Sequence, residues 1–235
     1  MTPTAKKDIV TVIPARGGSK GIPKKNIALL NGKPLLLYTI EAALEADISS
    51  GIYVSTDSDE IAEVAVHCGA QVIRRPADIS HDTASTESAL IHAVEIIKTG
   101  GGQTPEYVLT LPPTSPLRKA TTIRSFVAYY MSMKNRFDAM LSLTETRHDL
   151  WIWREHAFRR LFPDESRRRQ DRTPIYLENS AIYITKTEAL IMTNSILGRA
   201  CNGYIIDPLE AIDINEPIDL LWADFILKHS GKSKG

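Results

Sequence analysis

Short, continuously apolar runs alternate with longer amphipathic stretches along nearly the whole chain. Most of the apolar runs are rich in β-branched residues and do not alternate with polar positions, which is typical of strands covered on both faces. We predict strands over residues 8–14, 51–56, 70–75, 106–111, 138–143, 180–185 and 203–207. We predict helices over residues 34–46, 58–68, 86–98, 119–134, 187–194 and 217–229.

This strand–helix alternation predicts an α/β fold, in which a mostly parallel central sheet carries helices on both faces. Ligands of such folds bind beyond the carboxyl ends of the strands. The 235 residues are within reach of one large domain, so we predict a single domain over 1–235. The helix over 58–68 is expected to begin with a capping box formed by Asp57 and Glu60.

Residues 145–173 interrupt the alternation. The segment contains two tryptophans, two phenylalanines and a dense set of arginines. Aromatic and arginine side chains are common at protein interfaces, so we predict a dimerisation arm and a homodimer. The alternative is a solvated basic loop whose aromatic side chains fold back onto the core.

Composition limits the possible partners. The chain has 28 basic and 28 acidic residues, so no global charge favours a nucleic acid or an anionic membrane. Its two cysteines, Cys68 and Cys201, fit neither a disulfide framework nor a zinc motif. No long apolar stretch follows the amino terminus, and none reaches the length of a membrane span. We therefore expect a cytoplasmic protein.

The stretch IPARGGSKGIPKKN, residues 13–26, follows the first predicted strand. Its glycines permit positive φ and close backbone approach, so successive amides can point at one anion. Arg16 offers a fork of donors, while Lys20 and Lys25 supply mobile point charges. The loop matches neither the dinucleotide nor the P-loop motif. We predict a phosphate site; the alternative is a glycine-rich turn with solvated lysines.

Further motifs follow this loop in order: NGKPLLLYTIEAAL, VSTDSDEIAEVA, RPADISHDTAST, PPTSPLR, RRRQDRTPIYLENSAIYI and AIDINEPIDL. Over about residues 8–228, the chain resembles the cytidylyltransferases that activate sialic acids and related nonulosonic acids as CMP-sugars. The resemblance implies a three-layer, Rossmann-like nucleotidyltransferase fold. It also implies that the anomeric hydroxyl of a sugar acid attacks the α-phosphate of CTP and expels pyrophosphate, a reaction that needs charge neutralisation and in-line positioning.

The resemblance implies that CTP lies over the first-strand loop. Its nucleotide-binding residues would be Arg16, Gly17, Gly18, Ser19, Lys20, Lys25, Asn26, Arg75 and Thr86. Arg16 and Lys20 would hold the triphosphate during catalysis, and Arg75 and Thr86 would lie near the base and ribose. Two alternatives stay open: Arg75 could simply end a strand, and Thr86 could be a helix N-cap.

The resemblance also implies a substrate-binding set for the sugar acid, formed by Thr114, Ser115, Arg118, Arg169 and Asn179. The two hydroxyls and Arg118 could position the sugar or hold the shape of their loop. Arg169 matches an arginine that pairs with the carboxylate of the sugar, and guanidinium suits such bidentate pairing. Alternatively, Arg169 is a solvated member of a basic run. As part of a dimer arm, it could reach the pocket of a partner.

Mg²⁺ is the expected cofactor, held by a carboxylate together with triphosphate oxygens. The metal motif of the family has two aspartates one residue apart, whereas this chain has Asp213 followed by Asn215. We predict Asp213 as the catalytic metal ligand. Asn215 is the second residue of the predicted metal site: it would be a weaker, neutral ligand, an outer-shell partner, or the cap of the helix that Pro217 begins.

Two further departures concern the acid rather than the nucleotide. Pro112 stands where many sialic-acid members have glutamine, and Leu177 stands where some members have arginine. A lost amide and a lost cation should change which acid fits. The predicted acceptor is therefore a sialic-type nonulosonic acid, with legionaminic, pseudaminic and KDN-type acids, a 3-deoxyoctulosonate-type acid or a phosphonate as alternatives. A catalytically inactive nucleotide-binding protein is a further alternative.

Overall fold

The computed structural model describes residues 8–19, 21–101 and 103–229. Its strands are β1 (Ile9–Pro14), β2 (Leu29–Leu30), β3 (Lys33–Pro34), β4 (Ile52–Thr56), β5 (Gln71–Arg74), β6 (Tyr107–Thr110), β7 (Ala139–Thr146), β8 (Trp151–Arg154), β9 (Ala157–Arg160), β10 (Ile175–Lys186) and β11 (Cys201–Ile205). Its helices are α1 (Leu35–Ala46), α2 (Asp59–His67), α3 (Thr86–Thr99), α4 (Ala120–Met133), α5 (Thr187–Thr193) and α6 (Pro217–His229). Every predicted strand and helix is confirmed, although β10 begins earlier than predicted.

Seven strands form one sheet in the order β11-β7-β10-β6-β1-β4-β5. Neighbouring strands are parallel except β10, which runs antiparallel to both β6 and β7. The mostly parallel sheet is thus confirmed. None of the described helices is long and apolar enough to cross a membrane.

The central strand β1 explains why the apolar runs do not alternate with polar residues. Ile13 is completely buried on one face of the sheet, in a cluster that includes Phe126 of α4. Val12 is completely buried on the other face, in a cluster that includes Leu90 of α3. Because helices cover both faces, residues in the middle of the strand are apolar, or, like the buried Thr11, have a hydrogen-bonded polar group. The expected three layers are therefore present.

The capping box predicted for α2 is wrong. Ser58 caps this helix, because its hydroxyl accepts the backbone N–H of a first-turn residue at 3.4 Å. Asp57 instead accepts the backbone N–H of Gly17 at 2.8 Å. Glu60 forms an exposed ion pair with Lys24 at 2.6 Å. Their spacing in the sequence suggested that both acids bond to the first turn of α2, whereas in the fold both contact the loop after β1.

The segment between β7 and β10 forms an arm around a β8–β9 hairpin. The two-residue turn of the hairpin, Glu155 and His156, has left-handed φ angles of 51° and 61°, as tight hairpin turns require. At the base of the arm, Asp149 forms ion pairs with three arginines, Arg160 at 2.7 Å and Arg167 and Arg172 at 3.3 Å. These arginines hold the pKa of Asp149 below its usual range.

The aromatic residues of the hairpin do not fold back onto the core. Trp151, Trp153 and Phe158 are 54%, 57% and 69% exposed. Trp153 and Phe158 face each other across the two strands and make an edge contact, with ring centroids 4.8 Å apart. The interpretation of this segment as a basic loop with buried aromatics is therefore wrong.

Arg118 is a buried cation that joins three parts of the fold. It is 3% exposed and donates to the carbonyl oxygens of Ala181 at 2.5 Å and Pro112 at 3.3 Å, and to the Thr39 hydroxyl at 2.9 Å. Burial lowers the pKa of its guanidinium, and the buried carboxylate of Glu210 opposes this shift. A direct contact of Arg118 with substrate, one of its two expected roles, is contradicted by this burial. It holds the shape of the loop after β6.

We expect Arg118→Met to reduce the free energy of unfolding by about 3–5 kcal/mol, because it leaves buried oxygens without a donor. Arg124→Met is the matched control, since Arg124 donates to the Glu45 carbonyl at 2.8 Å in a solvent-exposed bond. The control should cost less than about 1 kcal/mol. Chemical denaturation measures both values, and equal losses would contradict the role of Arg118.

Candidate functional site

A cleft lies beyond the carboxyl ends of β1 and β6, where parallel sheets of this kind place their ligands. Its walls come from the loops that follow β1, β5 and β6. Most of the predicted nucleotide-binding residues line it: Arg16, Gly18, Ser19, Lys25, Asn26, Arg75 and Thr86. Gly17 adjoins the cleft without lining it, and Lys20 lies outside the described residues.

We call residues 15–24 the glycine loop. Asn26 holds its start, because the buried amide donates to the Arg16 carbonyl at 2.8 Å. Asp57 holds the next peptide through the N–H of Gly17. Further on, Gly21 must be glycine, because a Cβ there would lie 2.1 Å from the Asn215 carbonyl oxygen. Contacts with other segments thus hold the described part of the loop in place.

Three cationic side chains converge on the cleft, from Arg16, Lys25 and Arg75. Arg75 is 9% exposed and donates to the Ser55 carbonyl at 2.8 Å and to the Ser55 hydroxyl at 3.2 Å. Burial lowers the pKa of Arg75, an effect that Asp57 opposes and Arg16 reinforces. Arg75 therefore does more than end a strand. Cations that are partly removed from water and close to one another favour the binding of a multivalent anion.

Lys25 connects the glycine loop to the segment that precedes α6. Its ammonium donates to the Ile214 carbonyl at 2.8 Å and approaches the Asn215 side-chain oxygen at 3.3 Å. Burial lowers the pKa of Lys25, and the charge of Asp213 is the largest influence that raises it. Positive and negative groups thus face each other at this side of the cleft.

The amino terminus of α3 also faces the cleft. Ser85 is the N-cap, since its hydroxyl accepts the Ser88 N–H at 3.1 Å, so Thr86 is not the cap. Thr86 is the first helical residue and lines the cleft together with Ser85. Free N–H groups at the start of a helix favour nearby negative charge.

The orientation of Asp213 suits a metal ligand. Asn215 donates its amide to one carboxylate oxygen of Asp213 at 2.6 Å. The other oxygen, Oδ1, is buried and has no hydrogen-bond partner among the described residues. The same residues include no group of three or more His, Cys, Asp or Glu that could hold a metal alone. A cation bound by Asp213 would therefore need further oxygens from outside this set of side chains.

Asn215 does not cap α6. Its Nδ2 must face the Asp213 carboxylate and its Oδ1 must face the Lys25 ammonium, because only this arrangement pairs donors with acceptors. The Asp219 carboxylate instead reaches back to the backbone N–H groups of Asn215 at 2.9 Å and Glu216 at 2.8 Å. The helix-cap interpretation is wrong, and Asn215 orients Asp213 instead.

The predicted substrate residues are distributed over several places. Thr114 lines the cleft, whereas Ser115 is 1% exposed and its hydroxyl has no partner among the described residues. Arg169 lies on an exposed turn of the arm and does not line the cleft. Ser115 is thus too buried for the predicted contact, and Arg169 does not reach the cleft of its own chain.

Asn179 lies beside a bulge in β10, where the pairing with β7 shifts register between Glu178 and Tyr183. Its side-chain oxygen accepts from the Ser142 hydroxyl at 2.6 Å and from the Ala181 N–H at 3.1 Å. Its Nδ2 is buried and has no partner in the part of the chain that the structure describes. The side-chain amide of Asn179 is thus held in one orientation, in which its Nδ2 is available as a hydrogen-bond donor.

Sequence reasoning missed three residues that shape this site: Asp57, Asp82 and Ser142. Asp82 accepts from Arg16 at 2.7 Å, and Ser142 orients Asn179 from β7. The only signal for Asp57 was its place directly after a strand, which also fits a helix cap. Nothing in the chain near Asp82 or Ser142 indicated their distant partners.

Comparison with known proteins agrees with this geometry. The family model described as cytidylyltransferase matches residues 10–205. The N-acylneuraminate cytidylyltransferase of Escherichia coli is 32% identical over 230 residues, which are 96% of this chain and 54% of that protein. The CMP-N,N'-diacetyllegionaminic acid synthase of Legionella pneumophila is 37% identical over 92% of this chain and 93% of that protein. The chain thus spans about half of the first relative and nearly all of the second.

A solved structure shares the fold. The CMP-2-keto-3-deoxy-manno-octonic acid synthetase, solved with CTP, has a TM-score of 0.69 and 15% sequence identity. The match covers 95% of this chain and all of the solved chain. At this identity the likeness concerns the fold alone, whereas the family match extends through most of the sequence. From the glycine loop, the cationic cleft and these matches, we conclude that the chain belongs to the cytidylyltransferase family.

Proposed function

We propose that this chain transfers CMP from CTP to the anomeric hydroxyl of a nonulosonic acid and releases pyrophosphate. The observation that carries the proposal is the convergence of Arg16, Lys25 and Arg75 on one cleft, beside a buried carboxylate oxygen of Asp213 that has no partner among the described residues. Arg16 and Lys25 suit a triphosphate, Arg75 suits the adjoining part of the nucleotide, and the carboxylate suits the metal that accompanies a triphosphate. The named activities of the relatives from E. coli and L. pneumophila support the same reaction class.

The residues of the cleft divide between the two ends of the nucleotide. The glycine loop and Arg16 would bind the triphosphate, as would Lys20. Arg75 and Thr86, on the wall formed by the loop after β5, would lie near the base and ribose. Lys25 would face the α-phosphate side, because it is anchored to Ile214 beside Asp213. Such an arrangement accelerates the reaction by neutralising charge and aligning the attacking hydroxyl.

We propose Mg²⁺ as the cofactor, with Asp213 as its protein ligand and Asn215 as the residue that orients Asp213. The free Oδ1 of Asp213 fits this role, since Mg²⁺ takes one or two carboxylates together with phosphate oxygens. The ion would neutralise charge on the triphosphate and its leaving group. Asn215 itself keeps its oxygen toward Lys25, so it is not a direct ligand in this conformation.

The acceptor side would use the free Nδ2 of Asn179 as a fixed donor. Because the Ala181 N–H can only donate, it holds the amide oxygen, and the amide cannot turn over to present an acceptor instead. Leu177, on the same strand, is 45% exposed, and Pro112 lines the cleft. These two positions lack the amide and the cation of many sialic-acid enzymes, so the acid would be selected by shape and by Asn179.

Pyrophosphate release with CTP and Mg²⁺ tests the reaction, measured against sialic, KDN, legionaminic, pseudaminic and 3-deoxyoctulosonic acids. We expect turnover with one nonulosonic acid at least about 100-fold above the rate without acceptor. Turnover with 3-deoxyoctulosonic acid alone would replace the proposed acceptor with that acid. Binding of CTP without turnover on any acid would favour the inactive nucleotide-binding protein.

Asp213→Ala should lower Mg²⁺-dependent turnover by at least about 100-fold, because it removes the proposed metal ligand, while circular dichroism should show that the fold is retained. Asn215→Asp should lower the Mg²⁺ concentration needed for half-maximal turnover, since it adds a second carboxylate beside the first. Mn²⁺ binding followed by electron paramagnetic resonance, with and without CTP, checks both changes independently of activity. Unaltered Mn²⁺ binding in Asp213→Ala would place the metal elsewhere.

We also propose that the chain forms a homodimer through its arm. The hairpin exposes three large aromatic side chains, of Trp151, Trp153 and Phe158, together with several arginines. This combination is typical of the centre of an interface. Since Arg169 does not line the cleft of its own chain, it could pair with a sugar carboxylate only in the cleft of a partner. Activity would then depend on dimerisation.

The double variant Trp153→Ser/Phe158→Ser should halve the molar mass measured by light scattering after gel filtration. The physical reason is the loss of the largest apolar surface of the hairpin. Val66→Ser is the control, because Val66 is 64% exposed on α2, outside the hairpin. A dimer that survives the double substitution, or a monomeric parent protein, would show that the arm has another role.

We propose the cytoplasm as the location of this activity. Both cysteines, Cys68 and Cys201, are free in the structure, which suits a reducing compartment.

A further inference from the structure

A negative charge lies beside the glycine loop, against residues that line the cleft. Arg16 donates from Nη1 to the Asp82 carboxylate at 2.7 Å, across 66 residues of sequence. The same oxygen lies 3.8 Å from the position that a Cβ on Gly18 would take. A carboxylate oxygen thus lies over the glycine loop, against the guanidinium that lines the cleft.

This ion pair contributes little to the stability of the fold. The side chain of Arg16 is 28% exposed and that of Asp82 is 56% exposed, so water screens their attraction. Asp82 makes no other hydrogen bond within the described ranges. Asp57 provides a contrast, because it accepts a backbone N–H and so shapes the loop itself. Among the described residues, Asp82 instead forms its hydrogen bond with the side chain that a polyanion would need.

Asp82 is also unfavourable for ligand binding as it stands. A carboxylate beside Arg16 repels the phosphates that the cleft is proposed to bind, and it occupies one of the N–H donors that would hold them. An acid in this position therefore opposes triphosphate binding, unless it moves away when the ligand enters.

We propose that Asp82 is a positioning residue that takes the place of a phosphate on Arg16 in the free protein, and that the triphosphate displaces it. The inference rests on the proposed function and identifies a residue that sets the affinity of the phosphate site. Asp82 keeps the Arg16 guanidinium extended over the glycine loop between turnovers. When pyrophosphate leaves, the carboxylate returns to Arg16 and competes against rebinding.

The decisive comparison is between Asp82→Asn and Asp78→Asn. Both remove one negative charge from the same segment, and Asp78 is exposed on a short helical turn, Ala77–Ile79, without an ion pair in the described structure. Isothermal titration with CTP, pyrophosphate and inorganic tripolyphosphate measures the affinity of each variant. We expect Asp82→Asn to lower the Kd of all three anions by about three- to tenfold, and Asp78→Asn to change it less than about twofold.

A double-mutant cycle separates competition for Arg16 from general repulsion. Arg16→Ala alone should weaken binding, and adding Asp82→Asn to it should then give no further gain. In steady-state kinetics, Asp82→Asn should lower the KM for CTP without raising kcat, and pyrophosphate should inhibit it more strongly. If Asp82 only stabilised the fold, its substitution would instead lower the thermal midpoint of unfolding and would leave the KM for CTP and the inhibition by pyrophosphate unchanged.

Two results would overturn the inference: unchanged or weaker anion binding in Asp82→Asn, or an equal gain in Asp78→Asn. If CTP binds and turns over while Asp82→Asn behaves like the parent protein, this inference alone fails. If neither CTP nor tripolyphosphate binds to the parent protein or to Asp82→Asn, the proposed function fails together with it.

Discussion

The buried guanidinium of Arg118 is the interaction on which the geometry of the site depends. Three different segments offer oxygens to it: the loop after β6, the antiparallel strand β10 and the first helix α1. A buried cation must be surrounded by acceptors, so these segments cannot move apart without leaving an uncompensated charge. The loop after β6 is thereby fixed where it forms one wall of the cleft. Through Ala181, the same cation also fixes the bulge of β10 that carries Asn179.

The opposite side of the cleft is held by close backbone contact. Gly21 lies so near the Asn215 carbonyl that no side chain fits between them, and Lys25 donates to the neighbouring carbonyl of Ile214. The Ile214 N–H in turn donates to the Thr114 carbonyl at 2.8 Å. These contacts bring the glycine loop, the loop after β6 and the segment of Asp213 to one point. Segments that the chain separates by nearly 200 residues therefore lie against each other, and Lys25 contacts Asn215 across 190 residues.

Charge in the cleft is balanced before any ligand enters. Asp57 shapes the glycine loop, Asp82 pairs with Arg16, and Asp213 lies near Lys25. Each cation thus has an acid that prevents strong mutual repulsion in the free protein. The three acids differ in their surroundings: one is bonded to the backbone, one is exposed, and one has a buried oxygen without a partner among the described residues. In the proposed reaction, Asp57 would shape the phosphate site, Asp82 would compete with phosphate for Arg16, and Asp213 would hold the metal.

The sequence alone determined the order and type of the main strands and helices, because the spacing of apolar residues along the chain follows the positions that a strand or helix buries. It also located the glycine loop and most of the cleft residues, since strand–loop–helix order places loops at one edge of the sheet. It did not reveal the β8–β9 hairpin, whose exposed aromatic residues follow no burial pattern. Only the tertiary structure decided that Arg118 is buried, that Asn215 orients Asp213 and that Asp82 contacts Arg16. For Arg118 and Asp82 the partners lie 79 and 66 residues away and meet through the strand order. For Asn215, two residues from Asp213, the side-chain direction is set by Lys25 from the far end of the chain.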